Sequence, residues 1–214
     1  AWLVSTFGRP AMEAGGGVLD IAGGKGRLAF ALHHELGIRT TVIDPGEPHR
    51  GILSRRERAR IKCKQVAGLT DAFDNIAEPF DLAFSLKHAP LVRACSVLVG
   101  LHPDQATNDI VDVAIAHRKP FAVVPCCTYS HLWPDRRVGG GRTDTAGEVG
   151  RRVESTADMV AFLLAKHPNA RVAEIAFKGR NQCVYMTGAG YDTSRDNGID
   201  DAVDGGAVAC GTCA

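Results

Sequence analysis

Three short stretches of this 214-residue chain hold residue types that do chemistry. Val18-Leu19-Asp20-Ile21-Ala22-Gly23-Gly24-Lys25-Gly26 sets a carboxylate ahead of a run of small residues. Glycines in such a place let the backbone approach a ligand and, where a helix begins, turn free amides toward it. Val99-Gly100-Leu101-His102-Pro103-Asp104 ends an apolar run with an imidazole and a carboxylate, and Thr107, Asn108 and Asp109 come next. Histidine titrates near neutrality, so His102, or Asp104 beside it, is suited to take a proton from a reacting hydroxyl. The plainer role for His102 is a hydrogen bond to nearby backbone. Val124-Pro125-Cys126-Cys127-Thr128-Tyr129 ends another apolar run with two thiols. These either pack as small buried hydrophobes or offer a thiolate to attack a pyrimidine ring.

Such residues need rigid elements behind them. Residues 18–22, 40–44, 61–67, 97–101 and 121–124 read as strands, the second β-branched and stopped by Pro45 and Gly46. Residues 27–36 and 106–117 carry apolar positions at helical spacing between strands, and 154–166 resumes a helix that stops before Pro168. Residues 171–177 and 182–187 flank the short Gly179-Arg180-Asn181 turn and predict an antiparallel hairpin. Alternating strands and helices predict an α/β fold with a mostly parallel sheet and helices on both faces. Residues 130–150 read as one long loop. The expected division is a single domain over 1–189 and a Gly- and Asp-rich disordered tail over 190–214.

Composition sets outer bounds. With 25 Lys+Arg against 24 Asp+Glu the formal charge is +1, so bulk charge does not mark a nucleic-acid binder and any basic surface is local. Apolar runs fall far short of the roughly 20 residues a spanning helix needs, so no membrane partner is expected. The N-terminus lacks a secretory signal's basic and long apolar regions, and the absent initiator Met suggests a clipped or partial chain. Seven irregularly spaced cysteines argue against a disulfide framework and for a reducing, intracellular compartment, cytoplasmic or nuclear. Cys63, Cys95 and Cys183 sit in apolar stretches and read as core.

The strand order, terminal hairpin and glycine-rich first turn together resemble the class I S-adenosylmethionine-dependent methyltransferases, whose sheet is a seven-stranded, Rossmann-like one. Asp20, Gly24 and Gly26 match that family's acid and glycines, with Ala22 in place of its first glycine. The resemblance implies S-adenosyl-L-methionine as cofactor, held by Asp20, Ala22, Gly23, Gly24 and Gly26 on its methionine side. It implies Asp44 on the ribose hydroxyls and Asp71, with Asp74 competing, on the adenine side. His102 with Pro125-Cys126-Cys127 resembles a methyltransferase-like group related to the tRNA 2′-O-methyltransferases. Pro103-Asp104 replaces that group's usual Leu-Cys, and Thr128-Tyr129 stands where it has a further His. The catalytic candidates it implies are His102, Asp104, Cys126 and Cys127.

The expected function is thus methyl transfer to an unidentified acceptor, with RNA favoured and tRNA processing in view. Two alternatives remain open: a non-catalytic module that keeps the fold, and an NAD(P)-binding oxidoreductase, since Gly24-Lys25-Gly26-Arg27-Leu28-Ala29 also satisfies the permissive dinucleotide pattern. Arginine-rich segments at 50–64 and 136–152 are either solvated faces or an RNA-binding surface, and Trp133 and Tyr129 either stack on a base or cap the core. Cys210-Gly211-Thr212-Cys213 has ligand spacing, to which Cys126, Cys127 and His131 could add, but no metal is expected.

Overall fold

The computed structural model describes residues 2–46, 73–139 and 150–191. Its centre is a seven-stranded sheet made of β1 (Val18–Ile21), β2 (Thr40–Ile43), β3 (Asp74–Ile76), β4 (Val97–Leu101), β5 (Phe121–Val124), β8 (Arg171–Glu174) and β9 (Gln182–Met186). The spatial order is β3-β2-β1-β4-β5-β9-β8. The first five strands are mutually parallel, and β9 runs antiparallel to β5 and β8. This is the mostly parallel, Rossmann-like seven-stranded sheet expected from the sequence, with its terminal hairpin. A separate ribbon pairs β6 (Arg137–Val138) with β7 (Arg151–Arg152), so the stretch read as one long loop contains one strand and is followed directly by its partner.

Alternation along the central strands sorts the core into two layers. Val18, Val97 and Val99 face α1 (Trp2–Phe7), α2 (Arg9–Glu13) and α3 (Arg27–Phe30), which continues through a wider helical turn over Ala31–Glu35. Leu19, Ile21, Leu98 and Val123 face the other layer, formed by α4 (Leu82–Lys87), α5 (Ala89–Ala94), α6 (Thr107–Ala116) and α7 (Thr156–Leu164). Central strands covered on both faces become nearly continuous apolar runs, which is why β1, β2 and β5 are buried along their whole length.

The strand beside β2 is not one of those read from the sequence. The third position in the sheet belongs to Asp74-Asn75-Ile76, bonded to β2 in register Thr41↔Asp74 to Ile43↔Ile76, while residues 61–67 lie outside the described residues. An Asp-Asn-Ile strand has poor intrinsic β propensity and is held by backbone pairing at the sheet edge, so its side chains do not announce it. Helices α1, α2, α4 and α5 were likewise unexpected. Each has five or six residues, too short to show two turns of periodicity, and is fixed by packing and by local signals. Asp81 caps α4 by accepting from the Phe84 amide at 2.7 Å, and Pro90 sits in the first turn of α5. Residues 192–214, most of the expected tail, and Cys63 lie outside the described residues.

Gly100 joins the sheet to the turn beyond β4. A Cβ there would stand 2.6 Å from Cδ1 of Ile110 and 2.8 Å from Cγ of Pro103, so β4, α6 and that turn meet at an atom-sized gap. Gly100→Ala is expected to cost about 1–3 kcal/mol by overpacking. Urea denaturation with circular dichroism checks this.

Candidate active site

Asp20 points from β1 into the layer of α3, where it is 1% exposed. Its Oδ2 accepts the Ala29 amide at 3.1 Å, one of the first-turn donors that a helix leaves without an internal partner. Gly23 lies directly over this carboxyl, since a Cβ there would fall 2.8 Å from Asp20 Cγ and Oδ2. Ala22, the departure from the glycine pattern, has φ +52°, so it occupies the left-handed backbone that glycine adopts freely. Gly24 shares that conformation at φ +53° and has open space beside it. Its amide donates to Asp44 Oδ2 at 2.8 Å, and the Gly46 amide donates to Asp44 Oδ1 at 2.8 Å. Both Asp44 oxygens are thereby fixed, each with acceptor capacity left for a hydroxyl pair. Gly26, at φ +66°, begins α3 against the Phe73 ring.

A cleft of about 530 Å³ opens at the carboxyl ends of the parallel strands. Ala22, Asp44, Pro79, Phe80, Asp81, Pro103, Asp104, Asp109, Tyr129 and Trp133 contribute to its wall, residues that come after β1, β2, β3, β4 and β5. It spans the point between β1 and β4 where the strand order reverses, the usual ligand position in open α/β sheets. Four carboxylates, Asp44, Asp81, Asp104 and Asp109, line it, and no Lys or Arg does among the described residues. Such a lining suits a cationic ligand with hydroxyl donors. Burial, ahead of the Asn108 hydrogen bond that opposes it, pushes Asp109 above the ordinary carboxylate range. A second, almost wholly apolar cavity of about 220 Å³ lies between α1, α3 and the opposite sheet face, without polar groups to orient a reacting ligand.

The acceptor-side candidates separate. Asp104 lines the cleft. Cys126 lies behind it, 8% exposed, with its Sγ donating to Asp104 Oδ1 at 3.1 Å. Burial first, and then the hydrogen bond to Asp104, pushes the Cys126 thiol up to about 12, so at neutral pH it carries its proton. Cys127 is half-buried, 3.8 Å from Arg180 Nη1, and the same guanidinium donates to the Cys126 carbonyl. His102 does not reach the cleft wall. Its Nε2 donates to the Arg180 carbonyl at 2.9 Å, and its ring lies edge-on to Phe177 at 6.0 Å. His102 and Arg180 therefore latch the β8–β9 turn to the ends of β4 and β5.

Asp81 and Phe80 were missed from sequence because they come after the unrecognised β3, and Arg180 because its contacts span 53 or more residues of chain. The Asp81-to-Phe84 cap was the one local signal. Asp71 lies outside the described residues and precedes the strand in third position. Arg50 through Lys64 and Arg142 also lie outside them. Of the remaining basic group, Arg136 stacks on Trp133 at 4.0 Å, Arg151 pairs with Asp158 and Arg152 stands 3.9 Å from Glu154.

No protein-family model and no curated protein matches the chain. Among solved structures, the crystal structure of an rRNA methylase from Streptococcus thermophilus aligns with a TM-score of 0.40 at 11% identity, covering 82% of this chain and 89% of that one. Among the described residues no helix is long and apolar enough to cross a membrane.

Burial, against the opposing Ala29 amide and with the nearby Asp44 charge, pushes Asp20 up to about 7 from its ordinary 3.8. The folded state therefore holds a proton that the unfolded state has released above pH 4, and stability falls as pH rises from about 4 to 7. Asp20→Asn keeps an acceptor for the Ala29 amide and is expected to flatten stability over that window, as denaturation at stepped pH would show. Cys126 in metal-free protein is expected to alkylate slowest of the described cysteines at the cleft end, and Asp104→Asn to speed it severalfold at pH 8. Mass spectrometry of iodoacetamide-treated protein reads both.

Proposed function

We propose that this chain is an S-adenosylmethionine-dependent methyltransferase acting on an acceptor that carries a planar ring, with RNA the favoured substrate class. The observation that carries this reading is Asp44, locked by the Gly24 and Gly46 amides at the edge of an acid-lined cleft with acceptor capacity to spare. A ribose diol offers two adjacent donors to such a carboxylate. Ala22, Gly23 and Gly24 supply the close backbone approach that a small zwitterionic group needs, and the surrounding carboxylates favour a positively charged one.

When bound, the cofactor supplies an electrophilic methyl group on a sulfonium. The chain's own work is positioning and proton removal. Asp104, exposed at the cleft wall with Oδ1 engaged by Cys126, keeps Oδ2 for the acceptor's proton. Tyr129 and Trp133 meet edge-to-face at 6.2 Å on the same wall, and Arg136 backs Trp133, which supports a stacked planar acceptor. His102 serves as a positioning residue through the hairpin latch.

Calorimetric titration with S-adenosylhomocysteine, with NADH as comparison, tests the reading. Micromolar binding is expected, weakened about 10- to 100-fold in Asp44→Ala, the range for losing a hydrogen bond to a charged group. Binding of NADH instead, or equal affinity in Asp44→Ala, would contradict it. Binding without transfer of labelled methyl to any RNA, protein or small-molecule pool would favour the non-catalytic module.

A further inference from the structure

The ends of β4 and β5 bring three metal-ligating side chains together. One ligand atom each from Asp104, Cys126 and Cys127 lies within 4.8 Å of the other two, the one such grouping among the described residues. A tetrahedral zinc with Zn–S of about 2.3 Å and Zn–O of about 2.0 Å sets its ligand atoms roughly 3.5 to 3.8 Å apart. Cys126 Sγ and Asp104 Oδ1 stand at 3.1 Å, so the trio needs only small side-chain adjustment to surround an ion.

The frame holding them is stiff. Leu101 and Val124 are paired in register, and the His102 amide donates to the Val124 carbonyl at 3.0 Å, which fixes the two chain exits side by side. The Arg180 guanidinium donates to the Cys126 carbonyl and reaches Cys127 Sγ at 3.8 Å. Two thiolates and a carboxylate around a divalent cation carry one net negative charge, and this guanidinium stands where it balances it.

We propose that Asp104, Cys126 and Cys127 form a zinc site of the open, three-ligand kind, with Arg180 as its charge-balancing neighbour. Binding exchanges two thiol protons, released to solvent, for two zinc–sulfur bonds, with no change of oxidation state. The thiol acidity described above belongs to the metal-free chain. Asp104 is the member of the trio that lines the cleft, so the fourth position would lie beside it, and water or a heteroatom of the acceptor bound there would be polarised by the ion in place of direct proton removal by Asp104. His131 is outside this group, with its ring 6.1 Å from Tyr129.

Cobalt(II) is the probe. Reduced, metal-stripped full-length chain is titrated with cobalt chloride, and the thiolate-to-cobalt absorption and the ligand-field bands are read. One equivalent of tetrahedral, thiolate-bound cobalt is expected, displaced by zinc. The bands should persist in Cys210→Ser/Cys213→Ser and vanish in Cys127→Ser, whose half-buried side chain makes it the variant least able to disturb the fold, as circular dichroism would verify. Arg180→Ala should weaken cobalt about 10-fold, in the range of an outer-shell partner. Absence of a thiolate band, or a band kept in Cys127→Ser and lost in Cys210→Ser/Cys213→Ser, would overturn the proposal. The spectrum is independent of methyl transfer, so its outcome does not depend on the function proposed above.

Discussion

A carboxyl group buried on the inner face of a central strand must find a hydrogen bond or lose several kcal/mol to desolvation. Asp20 finds one in the Ala29 amide, and that bond dictates much around it. It draws the start of α3 down onto β1, which leaves no room above the carboxyl for any residue but glycine at position 23. The chain then turns through left-handed conformations at Ala22, Gly24 and Gly26. The turn ends with the Gly24 amide against Asp44, so an internal acid under β1 determines where the half-buried acid after β2 stands.

The other half of the cleft is organised by a latch between distant segments. His102 holds the β8–β9 turn by its backbone, and Arg180 from that turn reaches back to the Cys126 carbonyl. The antiparallel strand β9 beside β5 brings the turn within reach, so the closing hairpin of the sheet is also what steadies the thiols and Asp104. Gly100 beneath Pro103 keeps the same corner compact.

Sequence legibility tracked the strength of local patterns. Buried parallel strands are apolar runs, and β1, β2, β4 and β5 were visible as such, as were the hairpin, α6 and α7. The acid-and-glycine turn was visible because Asp20, Gly23, Gly24 and Gly26 are each forced by a steric or backbone requirement, and Asp44 because it ends a β-branched strand. What escaped was decided by partners far off in the chain. β3 is a polar edge strand whose place is set by Thr41 to Ile43, and without it Phe80 and Asp81 had no assigned position. His102, with a residue type fit for proton transfer, is committed instead to a contact 78 residues away, which no local pattern encodes.

A ligand held at the carboxyl ends of β1 and β2, between the glycine turn and Asp44, is the centre of this functional reading. Backbone amide NMR of the isotope-labelled chain, with and without S-adenosylhomocysteine, tests it most directly. Shifts are expected to concentrate at Ala22, Gly24, Asp44 and Gly46, extending across the cleft to Asp81 and Asp104. Shifts confined to Leu3, Leu32 and Phe177 around the apolar cavity, or no shifts at saturating ligand, would contradict it.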